Sequence, residues 1–187
     1  ATTKKTKKGG MCMSLNDGIR ELVDELANAV RHLYRIPVPI CDIDHVVETI
    51  GGKVIEDASL DGYSDGRIRK TGVNSFVISA SPFQSKERRN FVIAHELGHL
   101  FLHMGFKTNS TRWKAQKDTA CYHNENLKVE YQANEFAVAF LMPQQDYELV
   151  LRQNMKQNMV DTSTIAEYFC VTIETAAIRG RRLGYLR

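Results

Sequence analysis

RRNFVIAHELGHLFLH, residues 88–103, sets three histidines and a glutamate into an otherwise apolar run. Buried titratable side chains are costly unless they are paired, hydrogen-bonded or bound to a metal, so His95, Glu96, His99 and His103 need a common purpose. Ser85 stands where a helix cap belongs and apolar residues fill most of the circumference, which predicts a central buried helix from about Lys86 to Met104. On a helix, residues four apart share a face, so His95 and His99 can aim both imidazoles at one point. Neutral imidazole is a good zinc ligand, and two of them with one acidic ligand leave a coordination position for water, as catalysis requires. Glu96, beside the first of these histidines, is placed to take a proton rather than to bind the metal. In a chain of this length and composition, H-E-x-x-H arises by chance about 0.01 times.

A third ligand has to come from elsewhere. The extended pattern H-E-x-x-H-x-x-G-x-x-H fails, because Phe101, Leu102, His103, Met104 and Gly105 follow. A carboxylate from a downstream helix is the remaining option. KVEYQANEFAVAFLM, residues 128–142, reads as that helix and is closed by Pro143. Glu130 begins it, with Asn134 one turn later on the same face. Glu135 lies about 140° around the helix from Glu130 and is the weaker choice.

Working outward, Ile19, Leu22, Val23, Leu26, Ala29, Val30 and Leu33 recur at helical spacing until IPVP stops the pattern. Asp42 as cap, Ile43, Val46, Val47 and Ile50 as the apolar face, and Gly51-Gly52 as the stop give a shorter helix. KVIED, GRIRK and SFVISA are short runs between Gly, Asp and Ser, which predicts an antiparallel hairpin system. Residues 105–126 read as a long polar loop. Further helices are expected at Tyr147 to about Met155, Thr164–Phe169 and Thr172–Leu183. The last two, joined by Cys170-Val171, resemble a helix-turn-helix.

The chain has 187 residues, 43% hydrophobic and 25% charged, with a net charge of +3, which suits an ordinary globular domain and demands neither a nucleic-acid nor a membrane surface. Four cysteines stand singly at Cys12, Cys41, Cys121 and Cys170 with no C-x-x-C pair, which argues against a cysteine zinc site or a disulfide framework and for reduced thiols. No apolar run reaches the roughly 18 residues of a membrane span, and the N-terminal region lacks a signal-peptide core, so a cytoplasmic location is expected.

R-R-N-F-V-I-A-H-E-L-G-H-L-F-L-H, then E-Y-Q-A-N-E-F-A, then L-M-P, resembles the ImmA/IrrE metallopeptidases, a gluzincin-like group of bacteria and their mobile elements. The likeness covers about residues 80–143, with looser similarity in the C-terminal helices. It implies His95, His99 and Glu130 as ligands of a zinc ion and Glu96 as the catalytic base. It also implies a substrate: a helix-turn-helix repressor whose cleavage releases genes of element transfer, phage induction or stress response. With the chain ending at Arg187, sensing of the signal is expected to fall to another molecule.

The expected fold is α+β and zincin-like, a small antiparallel sheet beside the active-site helix with helix-turn-helix-like helices after it. Residues 1–12 are expected to form a basic flexible tail, 13–143 the metallopeptidase domain, and 144–187 a C-terminal helical segment packed on it. His103, one turn past His99, is a further catalytic candidate that polarises the substrate carbonyl or braces a ligand. Tyr122 and His123 are weaker oxyanion candidates, and helix capping accounts for Asp42, Asp44 and His45. Arg179, Arg181, Arg182 and Arg187 could meet DNA phosphates, but they lie at the C-terminal end of the second helix, whereas base contacts usually come from the N-terminal part. The rival readings are a non-proteolytic antirepressor, a toxin–antitoxin partner, and a DNA-binding regulator with a structural metal.

Overall fold

A computed structural model describes residues 17–60, 66–118, 126–157 and 159–186. The basic tail, Tyr122 and His123 lie outside these described residues. Two helices open the chain, α1 (Asp17–Tyr34) and α2 (Ile43–Ile50). Asp42 caps α2 by accepting from the His45 amide at 3.1 Å, and Gly51, at φ 109°, ends it in the left-handed region that glycine adopts without strain. Asp44 pairs with Arg89 of the next long helix, so the acidic cluster is spent on capping and helix docking.

Three strands follow: β1 (Gly52–Glu56), β2 (Gly66–Lys70) and β3 (Phe76–Ala80). The sheet is mixed, a correction to the wholly antiparallel expectation. β2 and β3 form the expected antiparallel pair, but β3 lies in the middle of the order β1-β3-β2 and runs parallel to β1. The physical reason is burial. Phe76, Ile78 and Ala80 of β3 are all within 1% of full burial, whereas β1 carries mainly exposed or half-buried residues. The most apolar strand takes the centre, and β2, with Gly66 at its start, becomes an edge.

The central helix α3 (Lys86–Gly98) is capped by Ser85, whose hydroxyl accepts from the Arg88 amide at 3.2 Å. It continues without a break but changes pitch: His99–Met104 is π-helical and ends at Gly105, φ 85°. Helix α4 (Ser110–Ala115) lies in the segment expected to be loop. Six residues are too few to show a helical period, yet Asn109 caps α4 and Trp113 anchors it by donating to the Val73 carbonyl at 2.6 Å. Helix α5 (Leu127–Leu141) packs along α3. Gly98 permits this approach, since a Cβ there would sit 3.0 Å from both the Ala133 Cα and its carbonyl oxygen.

The chain closes with α6 (Gln144–Asn154), α7 (Thr162–Phe169) and α8 (Ile173–Arg182). Cys170 turns α7 into α8 in a left-handed conformation, φ 53°, and its carbonyl accepts from buried Asn90 of α3 at 2.9 Å. Arg179, 3% exposed, donates to the Met142 carbonyl and, at 2.8 and 3.1 Å, to Asp24 of α1. The C-terminal helices are thereby tied to α1, α3 and the end of α5. Cys41 and Cys170 are free thiols in contact. Among the described residues no helix is long and apolar enough to cross a membrane.

Candidate metal centre

His95, His99 and Glu130 converge. The two imidazole Nε2 atoms are 3.0 Å apart, and Glu130 offers Oε2 to His95 at 3.3 Å and Oε1 to His99 at 3.4 Å. One donor atom from each residue lies within 4.8 Å of the others. The expected geometry thus arises from one turn of the central helix and the first turn of α5, held together by the close approach at Gly98.

The neighbours of the histidines bear on which nitrogen faces the centre. Asn134, one turn after Glu130, accepts at its Oδ1 from His95 Nδ1 at 2.9 Å. An amide oxygen only accepts, so Nδ1 carries a hydrogen, and in the neutral imidazole the Nε2 lone pair faces the centre. His99 Nδ1 meets His103 Nδ1 at 3.0 Å, and His103 Nε2 meets Gln132 Oε1 at 3.1 Å. Two nitrogen lone pairs and a carboxylate aimed at one point repel each other unless a cation or a proton lies among them. The donor set of two imidazoles and one carboxylate is what zinc takes in a catalytic site, so the residues fit that ion.

The titration behaviour follows the same electrostatics. Burial would lower the His95 pKa, but its hydrogen bond to Glu130 and the charges of Glu96 and Glu130 reverse the sign and leave it raised. His99 is pushed down to about 3 by burial and by His95, and is therefore neutral and able to ligate. Burial also lowers His103. The bond from His95 holds Glu130 below the usual carboxylate range. Glu96 is pushed up to about 7, first by burial and then by Glu130, against the opposing pull of His95.

Glu96 is 6% exposed and lies under the start of β2. A Cβ on Gly66 would fall 2.6 Å from Val92 Cγ1 and 3.1 Å from Glu96 Oε1, so only glycine lets the edge strand pass this close to the carboxylate. Glu135 is turned away, as the helix phase requires, and pairs with Arg182 at 2.9 Å. Among the basic residues considered for DNA, Arg179 and Arg182 are held in these internal ion pairs.

Sequence reasoning placed His95, Glu96, His99, His103 and Glu130 around one point but missed Gln132, Gly66 and the π-helical turn. Gln132 lies two residues after Glu130 and 29 residues from His103 in sequence, and no spacing rule joins the two.

A helix bearing H-E-x-x-H beside a small sheet, with a carboxylate supplied by a later helix, defines a metallopeptidase-like domain. The sequence profile of the IrrE N-terminal-like domain, peptidase family M78, matches residues 48–180. The chain belongs to that family. No curated protein matches it significantly. Among solved structures, it is similar to a transcriptional regulator from Mycobacterium tuberculosis, with a TM-score of 0.57 and 19% identity over 87% of this chain. The chain spans 50% of that protein, and the likeness is one of fold.

Proposed function

We propose that the protein is a zinc-dependent, site-specific endopeptidase that cleaves a helix-turn-helix transcriptional repressor and so controls mobile-element, phage or stress genes. In this reading residues 13–143 form the peptidase unit and 144–187 a helical segment packed on it. The observation that carries the peptidase part is the convergence of His95 Nε2, His99 Nε2 and Glu130 beside buried Glu96. Membership of a peptidase family supports it. The repressor substrate rests on the resemblance to the ImmA/IrrE group.

His95, His99 and Glu130 hold the metal. Bound there, zinc supplies Lewis acidity, which makes water nucleophilic near neutral pH and stabilises developing negative charge on the scissile carbonyl. Glu96, buried beside His95, accepts the proton of the attacking water. The substrate lies extended. The central strand β3 cannot pair with it, because it has a strand on each side. The edge strand β2, which passes over Glu96 at Gly66, takes that role by backbone hydrogen bonds.

The test is incubation of the zinc-loaded protein with a helix-turn-helix repressor encoded beside it, with fragments read by mass spectrometry. Cleavage at one or few bonds by the wild type and not by Glu96→Gln is expected. Tight complex formation without cleavage would favour a non-proteolytic antirepressor.

A further inference from the structure

The metal-site reading accounts for His95, Glu96, His99 and Glu130, and leaves His103 and Gln132 without a task. Both are drawn into the site by geometry. In an α-helix, residues four apart are about 40° out of line, whereas a π-helical turn, bonded i to i+5, is wider and brings such residues closer to register. The helix is π-helical where His99 and His103 sit, and their Nδ1 atoms meet at 3.0 Å. On the far side of His103, Nε2 meets Gln132 Oε1 at 3.1 Å.

We propose that Gln132 and His103 form a positioning relay that sets the tautomer and ring orientation of His99, as Asn134 does directly for His95. Gln132 Oε1 only accepts, so His103 Nε2 carries its hydrogen and His103 Nδ1 has the lone pair. That lone pair accepts from His99 Nδ1–H, which leaves His99 Nε2 bare towards His95 Nε2 and Glu130. Both relays start from amides on α5, two and four residues after Glu130. One helix therefore contributes the carboxylate ligand and prepares both imidazoles. Such partners fix ligand orientation and raise its basicity. The role assigned to His103 is positioning: its Nδ1 and Nε2 are engaged with His99 and Gln132.

The inference rests on the metallopeptidase reading, and its test separates the two. Zinc affinity is measured by competition with a chromophoric chelator for the wild type, Gln132→Leu, Gln132→Glu and His103→Phe, with thermal melts as a control on folding. Loss of such a partner typically weakens metal binding about 10–100-fold. We expect that loss in Gln132→Leu and His103→Phe, and wild-type or tighter affinity in Gln132→Glu, whose carboxylate can only accept. A merely structural role would not be rescued by glutamate. Nitrogen-15 NMR of the metal-free wild type reads the tautomer directly, with His99 expected to carry its hydrogen on Nδ1. A hydrogen on Nε2 of His99, or unchanged affinity in Gln132→Leu, overturns the relay. Failure of the wild type to bind zinc at all would instead overturn the metal-site reading, while the NMR result would still decide the relay.

Discussion

Glu130 and Glu135 stand five residues apart on α5 and meet opposite surroundings. Glu135 is buried and compensated: Arg182 approaches to 2.9 Å and Arg20 to 3.7 Å, with Arg179 and Asp24 close by. Burial still outweighs the arginines and leaves its pKa raised. Glu130 is 39% exposed and faces the imidazoles of His95 and His99, and the bond from His95 holds its pKa below the usual carboxylate range. The first cluster contains its own counter-charges and joins α1, α5 and α8. The second brings two imidazoles and one carboxylate to a common point. The same residue type on one helix thus meets arginines on one face and imidazoles on the other.

The largest effect should come from the ligand side. Glu96→Gln is isosteric and removes the proton acceptor, so cleavage should fall about 10²–10⁴-fold with zinc content kept near wild type. Peptide-bond hydrolysis measured in single turnover checks this, and an unchanged rate would remove Glu96 from the chemistry.

On the structural side, Arg179→Ala leaves Asp24 without its buried partner and the Met142 carbonyl without its donor. Breaking such a pair costs about 3–5 kcal/mol, or roughly 10 °C in Tm for a domain of this size. Zinc affinity should not move, and calorimetric melts alongside chelator competition would reveal any crossover between the two clusters.

A pH titration of the metal-free protein sharpens the contrast. Glu96 titrates at about 7 when folded against an ordinary 4.5, so between those values the native state binds more protons than the unfolded state. Its contribution to stability is fully present below about pH 4.5 and is lost as pH rises through 7. Over the full shift this amounts to about 3 kcal/mol. Denaturant midpoints of wild type and Glu96→Gln at pH 5 and 8 isolate the term: the wild type should lose more stability than the variant, and parallel curves would contradict the burial of a titrating Glu96.

A smaller effect is expected from Gly98→Ala. The added methyl meets the backbone of Ala133, and overpacking of this kind costs about 1–3 kcal/mol. Because the displaced helix carries Glu130, zinc affinity should fall with it, while the Glu135 ion pairs should persist. A crystal structure of the variant would show whether the Nε2-to-carboxylate distances lengthen.

Much of this site was legible because its spacing is written into single helices. His95 and His99 share a face by chain geometry alone, and the phase of KVEYQANEFAVAFLM separates Glu130 from Glu135 before any tertiary contact is known. The helix caps at Asp42 and Ser85 were equally local. What stayed hidden was non-local or degenerate. The order β1-β3-β2 depends on which strand wins the centre, and the burial of Phe76 and Ile78 settles that only against α3 and the other strands. The spacing of His95, His99 and His103 reads the same on an α-helix as on one that widens at His99, so the π-helical turn left no mark. Gln132 joins His103 across 29 residues of chain, and α4 was too short for a period to appear.

The claim that Glu130 is a ligand and Glu135 a structural residue can be tested in one measurement of zinc per chain, by elemental analysis after dialysis, on wild type, Glu130→Ala and Glu135→Ala. One zinc per chain in the wild type and in Glu135→Ala, with loss of the ion from Glu130→Ala, is the predicted result. Zinc retained by Glu130→Ala, or absent from the wild type after loading, would contradict the account.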